Sequence, residues 1–321
     1  MTEQASLRIV YMGTPDFACP ALRALYEAGH EIVLVTSQPD RPSGRGKKEQ
    51  PTPVKKLSLE LGLPIEQPAQ IRGNSEYEEY VKSLAPDLLV VAAYGKILPL
   101  ELLRLPRLGC VNIHASLLPR YRGAAPIQRA IEAGDSVSGI TLMYMAEALD
   151  AGDIILQETV DITGFTAGEA TEVLSRIGAD LLIRTLPAIA DGSAGRVPQN
   201  HKDATYAPMI EKSEGRICFE RRPEEIVRKI LAMNPSPGAF VLLDGNPIKV
   251  RAAHVGEQKS TKDRSSGCVV SATDAGVAVQ AMDGIVVFDV LQAPGKKALA
   301  AAEFLRGRRI MPGTIFENEG K

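Results

Sequence analysis

Short apolar runs of strand length alternate with stretches of helical spacing through roughly the first 190 residues. Residues 7–12 (LRIVYM) read as a strand. Leu22 and Leu25 then mark a helix that stops at Gly29, and residues 32–35 form the next strand. That order is β-α-β and predicts a parallel sheet. The rhythm continues with a helix over 55–61, a short strand near Ile65, an amphipathic stretch over 77–84 and an apolar strand over 87–93 (DLLVVAA). Strands over 110–113, 140–145 and 154–160 follow, with a helix that Pro126 can start and another over 167–186. Residues 191–208 are polar and hold Gly192, Gly195, Pro198 and Pro208, which predicts a linker. A helix opened by Pro223 ends at residues 234–238. After it come five strand-length segments: 239–243, 248–253, 269–272, 277–281 and 285–290.

The pattern predicts an α/β protein: a Rossmann-like, doubly wound, mostly parallel sheet in residues 1–190, a linker over 191–208, and a small OB-like β-barrel over 209–321. No G-x-G-x-x-G follows the first strand, which disfavours a dinucleotide. With 321 residues, 45% of them hydrophobic, the chain can bury two cores.

Charge adds more. The net charge is −2, yet residues 194–321 hold 19 lysines and arginines against 15 acids, a net of +4 that leaves −6 for the rest. A basic C-terminal part suits a polyanion, and scatter around zero explains the numbers equally well. The sharpest local bias is in residues 37–56 (SQPDRPSGRGKKEQPTPVKK), where Arg41, Arg45, Lys47, Lys48, Lys55 and Lys56 face only Asp40 and Glu49. Its prolines and glycines predict irregular backbone to about Pro53. On charge alone this loop reads either as an arm for nucleic-acid phosphates or as a solvated surface. Cys19, Cys110, Cys218 and Cys268 are far apart and the four histidines are dispersed, so neither a disulfide nor a metal site is expected. No apolar run reaches membrane-spanning length, and a cytoplasmic monomer is expected.

Candidate chemistry sits in residues 109–153. Asn112 and His114 are two apart on a strand and leave one face of it. A buried amide and imidazole must each find a partner, so this pair marks a candidate site. Asp150, from the downstream run ALDAGD, can fold back beside His114. Amide, imidazole and carboxylate are the parts that acyl transfer to an amine requires: an oxyanion donor, a proton-handling ring, and a group that sets the ring and takes the amine proton. Arg120 and Arg122 could meet an anionic substrate or pair with acids, and Thr141 is placed to line the cleft.

Asn112-x-His114, Ser116-Leu117-Leu118-Pro119 and the later Asp150 resemble the formyltetrahydrofolate-dependent formyltransferases. The resemblance covers nearly the whole chain and is strongest over residues 88–153 and 37–48. It implies catalysis by Asn112, His114 and Asp150, with 10-formyltetrahydrofolate as co-substrate and no metal. It implies that Ser116, Leu117, Leu118, Pro119, Tyr94, Gly95 and Ile97 hold the folate. QPDRPSGRGKK is similar to the loop with which tRNA-acting members grip their substrate. That implies initiator methionyl-tRNA as acceptor, bound by Arg41, Arg45, Lys47 and Lys48, with Arg45 nearing the first acceptor base pair. A nucleotide-sugar or other small amine is the alternative acceptor, for which the basic loop is unnecessary. A non-catalytic RNA-binding protein on the same fold is the alternative of another class. The chain departs from the family pattern at Ala146 and Ala148, where an acid and a glycine are usual, and keeps Asp150 and Gly152-Asp153.

Overall fold

The computed structural model describes residues 6–43, 48–259 and 264–317. Contacts group the chain into two compact units. The first comprises the chain up to Pro126, Val137–Asp161 and Thr171–Pro208; the second comprises Ile127–Ser136, Ile162–Ala170 and the chain from Met209. Two short pieces of the N-terminal half thus fold with the C-terminal unit. Within that unit, Arg129 pairs with Glu214 at 2.8 Å and Lys229 lies 3.9 Å from Glu132.

The first unit runs β1 (Arg8–Gly13), α1 (Cys19–Glu27), β2 (Glu31–Thr36), β3 (Arg41–Ser43), β4 (Lys48–Gln50), α2 (Pro53–Glu60), β5 (Ile65–Glu66), α3 (Ser75–Ser83), β6 (Leu88–Ala92), α4 (Leu100–Leu103), β7 (Cys110–His114) and β8 (Arg122–Gly123). Further along the chain, β9 (Val137–Tyr144), β10 (Ile154–Asp161), α6 (Ala167–Asp191) from Thr171 onward, and β11 (Tyr206–Ala207) complete this unit, whereas α5 (Pro126–Ala133) belongs from Ile127 onward to the second. Seven strands form one sheet in the order β10-β9-β7-β6-β1-β2-β5. β5, β2, β1, β6 and β7 are parallel; β9 and β10 add antiparallel pairs at one edge. Every residue of β6 is buried, as a central strand with parallel neighbours requires. Helix starts follow local chemistry. The Thr52 hydroxyl accepts from Lys55 N–H at 3.1 Å ahead of Pro53, and Asn74 Oδ1 accepts from Tyr77 N–H at 3.1 Å above an acidic first turn. From β1 the chain winds outward to β2 and β5, then returns to β6 and β7. The switch point therefore lies between β1 and β6, and open α/β sheets place ligands at the carboxyl ends there.

Three local expectations need correcting. The loop predicted to be irregular contains the antiparallel ribbon β3–β4, with Arg41 opposite Gln50 and Ser43 opposite Lys48. A two-stranded ribbon leaves one edge of each strand unpaired, so Pro42 need not disrupt it. α6 continues past Leu186 through Pro187 to Asp191. The proline forfeits one helical hydrogen bond, and burial of Leu186 and Ile189 holds the last turn. Residues 191–208, read as a linker, bind back to the first unit. Val197 bridges Ile154, and β11 pairs in parallel with β8.

The second unit contains α7 (Pro223–Ala232), β12 (Phe240–Leu243), β13 (Asn246–Lys259), β14 (Val269–Thr273), β15 (Gly276–Gln280), β16 (Gly284–Gln292), β17 (Leu299–Ala300) and α8 (Ala301–Gly307). Its sheet is antiparallel, in the order β12-β13-β16-β15-β14 with β17 on β16. Ile315 and Glu317 bridge Cys268 and Leu242, so the chain end ties one sheet edge towards the other in the OB-like manner expected. Phe219, Phe288 and Phe316 pack in the core with ring centroids 6.1–6.2 Å apart.

Candidate active site

β7 alternates about its neighbours, so Val111 and Ile113 face one way and Asn112 and His114 the other. Asn112 and His114 are 8% and 6% exposed. His114 Nε2 lies 2.9 Å from the carbonyl of Tyr121. A carbonyl only accepts, so that nitrogen carries the proton, and the ring's exchangeable position is Nδ1. Nδ1 lies 3.7 Å from Asp150 Oδ2, an ion-pair distance when the ring is charged and too long for a hydrogen bond. Asp150 Oδ2 also accepts from Gly123 N–H at 2.8 Å. The Asn112 carboxamide makes no hydrogen bond among the described residues.

Two glycines let the loops close around this centre. A Cβ on Gly152 would stand 1.9 Å from the Tyr144 carbonyl oxygen, so no side chain fits. Gly123 has φ +118, and its Cβ would stand 2.8 Å from the Ala207 carbonyl oxygen. Its N–H is thereby free to face Asp150. Asp150 itself sits at φ 48, a left-handed conformation that a short polar residue tolerates.

The segment carrying Ser116 to Pro119 is held from within. Ser116 is buried; its hydroxyl donates to Arg120 O at 2.7 Å, and its carbonyl accepts from the Thr141 hydroxyl at 2.7 Å. Leu118 N–H donates to that same hydroxyl at 3.1 Å, and Gln157 Nε2 donates to Leu118 O at 2.9 Å. Thr141, expected to line the cleft, is buried as the bracket of this loop. Leu118 is buried, while Leu117 and Pro119 are half-buried. The Tyr94 ring belongs to the core, and its carbonyl, at the switch point, accepts from Gln38 Nε2 at 2.9 Å and from the Thr14 hydroxyl at 3.2 Å. Gly95 and Ile97 are exposed beside it, Ile97 at 72%.

Among the basic candidates, Arg41 is exposed and donates to Gln38 Oε1 at 3.0 Å. The foot of its loop is fixed by Asp40, which accepts from Gln67 at 2.7 Å and Lys55 at 2.6 Å. Gln67 and then Lys55 hold that carboxyl below its ordinary range. Arg45 and Lys47 lie outside the described residues, as does the side chain of Lys48. Arg122, expected either to meet an anionic substrate or to pair with acids, is buried and bonds Gln199 and His201. The Arg120 guanidinium lies 5.0 Å from the Tyr121 ring centroid. Gln199 was not singled out in the sequence, because a lone glutamine in a polar segment carries no periodic signal. Among the described residues there is no cluster of three metal-ligating side chains, and no helix is long and apolar enough to cross a membrane.

A profile described as formyl transferase matches residues 7–186, and one described as formyl transferase, C-terminal domain, matches residues 209–309. The chain belongs to the formyl transferase family. It is 47% identical to methionyl-tRNA formyltransferase of Variovorax paradoxus over 317 residues, covering 97% of this chain and 99% of the relative. The enzyme of the same name from Moorella thermoacetica is 46% identical over 310 residues, covering 96% and 99%. Within the family, the chain groups with these methionyl-tRNA formyltransferases. The fold is shared with an N-formyltransferase from Helicobacter canadensis, at a TM-score of 0.66 and 16% identity over 88% of this chain and 99% of that one. It is also shared with HypX from Aquifex aeolicus in complex with tetrahydrofolic acid, at a TM-score of 0.65 and 19% identity over 94% and 47%.

Proposed function

We propose that this enzyme moves the formyl group of 10-formyltetrahydrofolate to the free α-amino group of initiator methionyl-tRNA, with Asn112, His114 and Asp150 as its catalytic residues. The observation that carries the reading is the placement of the Asp150 carboxylate 3.7 Å from His114 Nδ1, at the end of the strand that also presents Asn112.

The bound folate supplies an electrophilic formyl carbon on a nitrogen that can leave. Leu117, Pro119, Gly95 and Ile97 offer partly apolar or open surface at adjoining strand ends, which suits a flat heterocycle. Ser116, Leu118 and Tyr94 contribute from beneath, through loop shape and backbone. The acceptor amine has an unperturbed pKa of about 7.7–8.0, so much of it is neutral near pH 7.5. As that nitrogen bonds to the formyl carbon, negative charge grows on the formyl oxygen. Asn112 donates to it with its unspent N–H, and protonated His114 adds positive charge. The Tyr121 carbonyl keeps His114 protonated at Nε2, so Asp150 acts at Nδ1. Asp150 stabilises the imidazolium and accepts the amine proton. A proton then goes to the leaving nitrogen, and no covalent enzyme intermediate is needed. Arg41, Arg45, Lys47 and Lys48 hold the tRNA acceptor backbone.

The test is a competition. The purified enzyme is given the formyl donor with methionyl-tRNA and a nucleotide-sugar amine side by side. Formyl label should appear on the methionyl-tRNA; label on the sugar alone would overturn the acceptor assignment.

A further inference from the structure

Asp150 is held at its backbone as well as at its carboxylate. Gln199 is buried, and its Nε2 donates to Asp150 O at 2.9 Å and to Gly152 O at 2.8 Å. Its Oε1 accepts from Arg122 Nη2 at 2.6 Å and Nε at 3.2 Å. Both donors and both lone pairs are spent, so the carboxamide has one orientation; reversed, it would set N–H groups against a guanidinium and oxygen against two carbonyls. Arg122 is anchored in turn. Its N–H donates to Thr205 O at 2.8 Å, and Nη2 lies 3.1 Å from His201 Nδ1. Guanidinium only donates, so that nitrogen of His201 must be unprotonated. The next residue, Gly123, gives its N–H to Asp150 Oδ2. The contacts close a ring: Gln199 to Arg122, along the chain to Gly123, across to Asp150, and from the Asp150 carbonyl back to Gln199.

We infer that Gln199 is a positioning residue for formyl transfer. It fixes the left-handed backbone of Asp150 and the alignment of the Gly123 N–H with its carboxylate, and so the placement of that carboxylate against His114. The inference rests on Asp150 being catalytic. Displacing a reacting group by about 1 Å can cost on the order of 10²-fold in rate. Gln199 touches carbonyls and a guanidinium belonging to two loops, so its loss should reach turnover and leave substrate binding alone.

The experiment compares Gln199→Glu, Gln199→Met, Asp150→Asn and the double variant Gln199→Glu/Asp150→Asn, with turnover, both KM values and thermal unfolding measured for each. Glutamate keeps an acceptor for Arg122 and removes both donors to the Asp150 loop; methionine removes donors and acceptor at similar volume. Gln199→Glu should lower kcat on the order of 10²-fold with both KM values within about threefold. On the Asp150→Asn background, the same change should cost less than about threefold, because residues acting as one unit are not additive. Near-normal kcat in the folded Gln199 variants, beside a crippled Asp150→Asn, would overturn the positioning role alone. A full-sized further loss on the Asp150→Asn background would show a merely structural role and overturn it too. Near-normal turnover in Asp150→Asn would remove the catalytic reading, and the positioning role with it.

Discussion

The two units differ in what they bury. Among the described residues the buried polar side chains run from His30 to Gln280, and only Gln280 belongs to the second unit. Six of the others, Asn112, His114, Ser116, Arg122, Thr141 and Gln199, gather around the end of β7 and the loops beside it. The second unit buries a phenylalanine trio and aliphatic side chains instead. Burying a polar group is costly unless it is fully partnered. A region that concentrates such groups and partners nearly all of them has been shaped by something besides stability. Asn112 stands apart: its carboxamide makes no protein hydrogen bond among the described residues.

The contrast predicts where substitutions should register. Phe316→Ala in the second unit should cost about 3–5 kcal/mol of stability, read as a lowered denaturation midpoint, with kcat of the folded fraction little changed. A matching loss of kcat would give the barrel a part in the chemistry. Asn112→Ala should do the reverse. Losing one oxyanion donor lowers kcat on the order of 10²–10³-fold. The unfolding midpoint should move little, because no protein hydrogen bond is broken. A large stability loss with normal turnover would make Asn112 a structural residue.

The smallest effect concerns pH. His30 Nδ1 accepts from Leu7 N–H at 3.2 Å, which requires an unprotonated nitrogen, and burial lowers the pKa of the ring. The unfolded chain then binds a proton more readily than the folded one. The stability contribution is complete above about pH 6.5, the unperturbed value, and is lost as pH falls from there through the folded pKa. His30→Gln should flatten that part of the stability profile, measured by denaturation between pH 5 and 7. An unchanged slope would assign it to other groups.

Much of the fold was legible because its signals are local. DLLVVAA can only be a buried strand in such a chain, and the barrel strands announced themselves by length and by the turn at Asp244-Gly245. The Asn112 and His114 pair was legible from period-two alternation. The place of Asp150 was legible only as a possibility, since nothing periodic links residues 36 apart in sequence; the resemblance to a family added its role. Arg122 and Gln199 were hidden more deeply. Their partnership spans 77 residues and joins an arginine expected to meet an anion or an acid to a segment expected to be a linker. The irregular backbone expected of the proline- and glycine-bearing loop failed for a related reason: proline rules describe a backbone by itself, whereas pairing in the ribbon decided the outcome.

In the proposed reaction Asp150 works on a proton at His114 and at the acceptor amine. The most direct measurement is the single-turnover rate of formyl transfer to methionyl-tRNA by Asp150→Asn, with binding of both substrates measured on the same preparation. Asparagine keeps the shape and an acceptor for Gly123 N–H but cannot take a proton or balance an imidazolium. The rate should fall on the order of 10²–10⁴-fold with both affinities retained. A transfer rate near that of the unaltered enzyme, at full occupancy, would show that Asp150 is not needed to take a proton.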